Sequence, residues 1–308
     1  MAYVGVLKLP RAMKCWPDVI GKEWPTRIGE IDVKVQMPIH ASDAADETGL
    51  SPLANPTTSQ NLDDFDVWGY AEDHVCEIFA VALTCTEPVN ESSIKSMFAE
   101  VDTWLECVYA WLSAWTGQAI HIRDEVPYRR GGAVTLQFWS EDEHGTGQRV
   151  RGPASILALP GMPVRSTHLR DSLRRGADLQ CPPLERQFLS DALVAHLRLV
   201  YRRATIDACT SVEIVVNDVL RSMRDQVGSK AAKVINSRAP LGPRIEIARD
   251  LGAPLPEEVD ELLLYPRNAA VHEGLLPNKL ESSQAWELSK EIVNQLSPLD
   301  RPTPEGED

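Results

Sequence analysis

Along the first 160 residues the apolar positions recur mostly at a spacing of two. Ile31-Asp32-Val33-Lys34-Val35-Gln36-Met37 alternates strictly, the pattern of a strand with one buried face. Residues 75–86 form a longer β-rich run, and residues 133–139 alternate around Val134, Leu136 and Phe138. One segment departs from this spacing. From Ser92 to Trp115, residues such as Ile94, Val101, Trp104, Val108 and Leu112 return at steps of three and four. A long amphipathic helix is expected there, stopped by Gly117, with its aromatic stripe facing the core. Residues 40–66, rich in Asp, Ala, Ser, Thr and Pro, read as a long mobile loop. His144-Gly145-Thr146-Gly147 lacks the Lys-Ser/Thr of a phosphate-binding loop and reads as a hairpin turn.

Past Pro182 the period changes from two to 3.6. Helices are expected over 184–200, 202–226, 230–237, 243–251, 256–264 and 280–296, with a new helical turn at Pro266. Ala204, Ala208, Val212, Val215 and Val216 mark the buried face of the second. The expected architecture is an α+β N-terminal domain over 1–160, β-rich with one long amphipathic helix. A linker over 161–181 leads to an all-α bundle over 182–299, and 300–308 forms a disordered acidic tail.

Composition narrows this picture. A hydrophobic content of 43% and a charged content of 25% are those of an ordinary globular chain. No apolar run approaches the ~20 residues of a membrane span, and the N-terminus lacks a signal-peptide pattern, so a cytoplasmic protein without a membrane partner is expected. A net charge of −14 argues against sequence-independent coating of nucleic acid, which rests on neutralising phosphates. It leaves room for a local basic site. Arg165, Arg170, Arg174 and Arg175, with His168 among them, are either a solvated linker face or contacts to an RNA backbone. The six cysteines are scattered without a C-x-x-C pair. Reduced, mostly buried thiols are expected rather than a zinc site, and no metal or cofactor is implied.

The chemistry-bearing stretch is Tyr265-Pro266-Arg267-Asn268-Ala269-Ala270-Val271-His272-Glu273-Gly274. An Arg five positions before a His says little alone. Its place between helices, near the end of an all-helical unit, makes it informative. Together with Ala208-Cys209-Thr210-Ser211-Val212-Glu213-Ile214 upstream, the stretch resembles the signature of the HEPN superfamily: an Arg, a polar residue, and a His a few positions on. The resemblance covers Pro183 to Leu296 and leaves the N-terminal domain unassigned.

That resemblance implies metal-independent RNA cleavage by a homodimer held through the helical domain, as in bacterial abortive-infection and toxin ribonucleases. Arg267 and His272 of both subunits would line one cleft. The residue types suit the reaction. Histidine exchanges protons near neutrality, as attack by a 2′-hydroxyl requires. A guanidinium stabilises the charge gathering on phosphorus through two parallel hydrogen bonds. Asn268, four residues before His272, shares its face on a helix and is placed to orient the imidazole or a phosphate. Arg267 lies about 140° away from His272 on an α-helix, which suits a site completed across a two-fold axis. Glu213 and Asp207 are weaker candidates for a supporting role.

Each residue also has a plain reading. Arg267 fits a structural ion pair, His272 a helix-end histidine favoured by the dipole, and Asn268 a local hydrogen bond. The function expected is a regulated endoribonuclease acting on single-stranded RNA, with the N-terminal domain sensing a ligand or protein trigger. The alternative is an inactive HEPN-like dimerisation or binding module coupled to that sensing domain.

Overall fold

The structure, a computed structural model, describes residues 4–41, 51–54, 56, 68–71, 75–87, 91–120, 138–140, 148–150, 161–223, 234 and 239–303. Its first half is an antiparallel sheet organised around one strand. β7 (Cys76–Cys85) pairs along one edge with β1 (Val4–Cys15). Its other edge is shared by β3 (Ile31–Gln36) and β6 (Gly69–Ala71). β2 (Glu23–Ile28) extends β3, while β5 (Ser51–Ala54) and β4 (Ile39–His40) extend β6. β7 is apolar without interruption from Ile78 to Leu83, as a strand enclosed on both edges and covered by helices should be. β3 and β2 alternate buried with more exposed positions, so each turns one face to the core. A separate pair, β8 (Phe138–Ser140) and β9 (Gln148–Val150), brackets the expected hairpin turn. The turn residues themselves lie outside the described ones.

Two helices close this half. α1 (Glu91–Thr116) ends where expected, at a left-handed Gly117 whose N–H bonds to the Ser113 carbonyl. α2 (Ser166–Ala177) lies along it at close range, because a Cβ on Gly176 would stand 2.5 Å from Val108 Cγ2. Leu169 and Leu173 of α2 join Trp104, Val108 and the sheet in one core. Polar seams fix the register. Thr26 of β2 donates to the Leu173 carbonyl and accepts from the Trp104 indole. The buried Gln118 amide donates to the carbonyls of Lys14 and Met162 and accepts from the Lys14 N–H. Asp18 accepts from both the N–H and the hydroxyl of Ser166, satisfying a donor at the start of α2.

The second half is helical. α3 (Leu184–Leu197), α4 (Tyr201–Ser222), α5 (Leu241–Asp250) and α7 (Lys279–Leu296) surround a second core, and α6 (Tyr265–Asn268) is a single turn within the motif segment. α4 is central and buries Ala204, Ala208, Val212, Val215 and Val216, the face read from the sequence. The buried Arg186 guanidinium donates to Asn294 Oδ1 and to the carbonyls of Val293 and Ser297, so a cation caps the C-terminus of α7. A smaller contact of Ala119 with Leu193 joins the two halves.

Several expectations change. The stretch 161–181 is not only a linker: α2 occupies most of it and belongs to the sheet core. Residues 51–54, inside the expected loop, form a strand; most of the rest of 40–66 lies outside the described residues, as does most of the 230–237 helix. The tail is docked as far as Thr303, whose N–H bonds to the buried Asp171 carboxylate at 2.7 Å. Cys107 and Cys181 are not reduced thiols but a disulfide, with Cα atoms 4.7 Å apart. Cys15, Cys76, Cys85 and Cys209 are free and buried.

Close packing at Gly176 gives a test. Gly176→Ala drives a methyl into Val108 and should destabilise by about 1–3 kcal/mol in urea denaturation. Gly242→Ala, whose Cβ meets only Leu264 Cδ1 at 3.6 Å, should change stability by no more than about 0.5 kcal/mol. Equal effects at the two positions would contradict the packing described.

Candidate functional site

The motif sits on a backbone that is not a plain α-helix. Two wide turns with i→i+5 hydrogen bonds, Asp260–Leu264 and Ala269–Glu273, flank α6. Pro266 supplies part of the reason. It has no N–H to give, and its ring pushes against the carbonyl four residues back, so a tight turn before it is disfavoured. The Tyr265 N–H bonds to the Asp260 carbonyl instead. At the far end Gly274 adopts φ 71°, ψ 11° and its N–H reaches the Ala269 carbonyl. The Leu275 N–H shares that acceptor at 3.2 Å. Wide turns of this kind are rare and collect at functional sites.

Burial divides the segment cleanly. Val259, Leu263, Pro266, Ala269 and Ala270 are buried, whereas Asn268, Val271, His272 and Glu273 face solvent. Arg267 is half-buried. Arg202, from the first turn of α4, donates through Nε to the Ala270 carbonyl at 3.1 Å. That carbonyl lies at a helix end, where backbone acceptors lack intrahelical partners, so Arg202 completes it from outside. The wide turn also alters the spacing. An α-helix carries five residues about 140° past a full turn, and a wider turn shrinks that offset.

Arg267 Nη1 donates to the Asn268 side-chain oxygen at 2.9 Å. The amide oxygen thus orients the guanidinium rather than the imidazole. Among the described residues no carboxylate lies within ion-pair distance of Arg267, so the plain ion-pair reading finds no partner there. Its charge is felt by Cys209 of α4. Burial pushes that thiol up to about 12; the guanidinium pulls it down and Glu213 adds to the rise. Cys209 is therefore a protonated packing group, and Glu213 shares its surroundings with Arg267. The Glu213 carboxylate pairs with Arg244 of α5 at 3.8 Å. Asp207 has another occupation. It pairs with Arg203 one turn back, and its carboxyl is raised mainly by burial despite that partner, with Asp191 adding to the rise.

The four arginines proposed for an RNA backbone are not part of the motif segment. They belong to α2 and its N-terminal flank in the sheet half. Arg175 lies 4.1 Å over the Trp111 ring, and Arg165 5.1 Å over Trp16. Arg170 bonds to Asp171 and to the Thr303 carbonyl, and the more exposed Arg174 stands 4.0 Å from Asp171. Packing and tail docking account for most of their contacts. Among the described residues no group of three or more His, Cys, Asp or Glu is placed to hold a metal ion, and no helix is long and apolar enough to cross a membrane.

Sequence reasoning missed the residues that support the segment. Arg202 gave no signal, since one Arg at a helix start is ordinary. His196, the last-turn histidine of α3, lies 3.0 Å through Nδ1 from the buried Ser282 hydroxyl and beside the Tyr201 ring. It ties the end of α3 to the start of α7. No protein family matches the chain, and no curated protein or solved structure matches it either.

Burial, reinforced by Lys279 and opposed by Glu287, holds the His196 imidazole below its usual value of 6.5. A depressed pKa means that the fold prefers the neutral ring. Its contribution is therefore complete above 6.5 and lost as pH falls through the lower folded value. His196→Gln keeps a partner for Ser282 but does not titrate. Between about pH 7.5 and 5, wild type should lose more melting temperature than this variant, because protonation acts through the linkage described. Parallel profiles would show that His196 does not govern the joint.

Proposed function

We propose that the helical half is a metal-independent endoribonuclease of the HEPN type, cutting single-stranded RNA at a site shared by two copies of the chain. The observation that carries this reading is the presentation of the motif. His272 and Asn268 are exposed on a backbone whose other side is anchored in the core, with Arg267 beside them and turned towards Asn268. His272 would move the proton of the attacking 2′-hydroxyl or of the leaving 5′-oxygen. Arg267, oriented by Asn268, would bind the phosphate as its charge grows. Glu213 would act at a distance, through Arg244 and the electrostatics around Cys209. The sheet half would sense the trigger that a ribonuclease inside a cell requires.

Apolar side chains around the motif support a second copy as partner. Tyr265, Val271, Leu275, Leu276 and Leu280 are exposed, Leu276 to 77%. A cluster of this kind beside charged residues is the usual mark of an interaction surface. The same surface favours the second reading, an inactive dimerisation module.

One paired experiment separates them. Full-length protein should cleave single-stranded RNA in EDTA and leave a 2′,3′-cyclic phosphate or its hydrolysis product. His272→Ala should lower the rate at least ~100-fold, the usual scale for a lost acid–base group, with melting temperature and sedimentation unchanged. Arg267→Lys should also be strongly impaired, because Lys keeps the charge and loses the fork geometry. Cleavage that disappears with EDTA and returns with magnesium would remove the mechanism. Cleavage unimpaired in folded His272→Ala would remove the assignment to this motif. A dimer without any cleavage would leave the second reading standing.

A further inference from the structure

Cys107, Trp111 and Trp115 stand at four-residue intervals on α1 and form one row along its surface. Each holds a part of the chain belonging to the second half. Cys107 is bonded to Cys181, in the short connection between α2 and α3. The Trp111 indole donates to the Gln180 carbonyl at 2.5 Å. The Trp115 indole donates to the Asp300 carbonyl at 3.1 Å, where the chain returns from α7. Arg175 of α2 covers both rings, at 4.1 and 5.7 Å from their centres. One row of a helix in the sheet half thus grips the beginning and the end of the helical half.

The covalent member of this row differs from the other cysteines. Cys107 is 2% exposed, whereas Cys181 is an exposed residue. Cys15, Cys76, Cys85 and Cys209 are all buried. We propose that Cys107–Cys181 is a thiol-operated latch, whose reduction loosens the hold of α1 on the start of the helical half. This inference is independent of the ribonuclease reading.

The step balances with a dithiol as co-reactant. Its thiolate attacks Sγ of Cys181, the sulfur–sulfur bond breaks, and Cys107 leaves as a thiolate and takes a proton. The second thiol of the reductant then attacks the mixed disulfide. Cys181 is released and protonated, and the reductant closes its own disulfide. Two electrons and two protons pass to the protein. Gln180–Pro183 then keep the Trp111 hydrogen bond but lose the covalent tie, and a segment without secondary structure of its own opens readily.

The test uses full-length protein, oxidised with glutathione disulfide and then treated with dithiothreitol. Amide hydrogen exchange is followed by mass spectrometry in peptides covering residues 178–187. Exchange there should rise several-fold on reduction, while β7 and the core of α4 change little. Iodoacetamide under native conditions should label Cys181 only after reduction. Cys181→Ser, a surface change, should exchange like reduced wild type and ignore dithiothreitol. If Cys107→Ser fails to fold, Cys181→Ser alone still decides the matter. The proposal is overturned if Cys181 is labelled in the oxidised protein, or if exchange over 178–187 is the same in both thiol states.

Discussion

Helix α1 has two working faces, and the rest of the molecule is arranged around that fact. One face, through Trp104, Leu105, Val108 and Leu112, closes the sheet core and accepts Gly176 of α2 at van der Waals range. The other carries Cys107, Trp111 and Trp115 and holds the helical half. A helix apolar on one stripe only would leave one of these attachments unmade. Polar groups complete it: each indole on the second face has a backbone carbonyl as acceptor, so the buried Trp111 and the half-buried Trp115 both have their donors paired.

The sequence shows some of this plainly and hides the rest for physical reasons. β3 is legible because its side chains follow the two-residue pleat, β7 because it is a short, uninterrupted β-rich apolar run, and α1, α3, α4 and α7 because enough apolar positions recur at helical spacing. β1 escapes notice because its register shifts between Lys8 and Met13, around Pro10, and breaks the alternation. α2 escapes because only Leu169 and Leu173 show an apolar period among its arginines; what buries the helix is the absence of a side chain at Gly176. The disulfide joins cysteines 74 residues apart, a pairing no spacing rule reveals. At the motif the helical turn at Pro266 was legible. The wide turns were not, because they follow from Pro266, Gly274 and the Arg202 contact acting together.

On the proposed reading, charge would bear on how such a surface meets RNA. The chain is strongly acidic, and many of its described arginines are occupied. Arg186 caps α7, Arg249 donates to the Pro256 carbonyl, Arg203 holds Asp207, and Arg175 lies on tryptophan. A protein built this way neutralises few phosphates at a time, so its grip on RNA would depend only shallowly on salt. Selectivity would then come from the shape and stacking of unpaired bases around Tyr265 and His272 rather than from a broad cationic field.

The row on α1 has an architectural consequence. Trp111 grips the chain just before α3 and Trp115 grips it just after α7, and the two are one helical turn apart, about 6 Å along the axis. The beginning and the end of the helical half are therefore held at nearly the same spot. Replacing the helical half would then leave the sheet's core intact, because one row of α1 holds both of its ends.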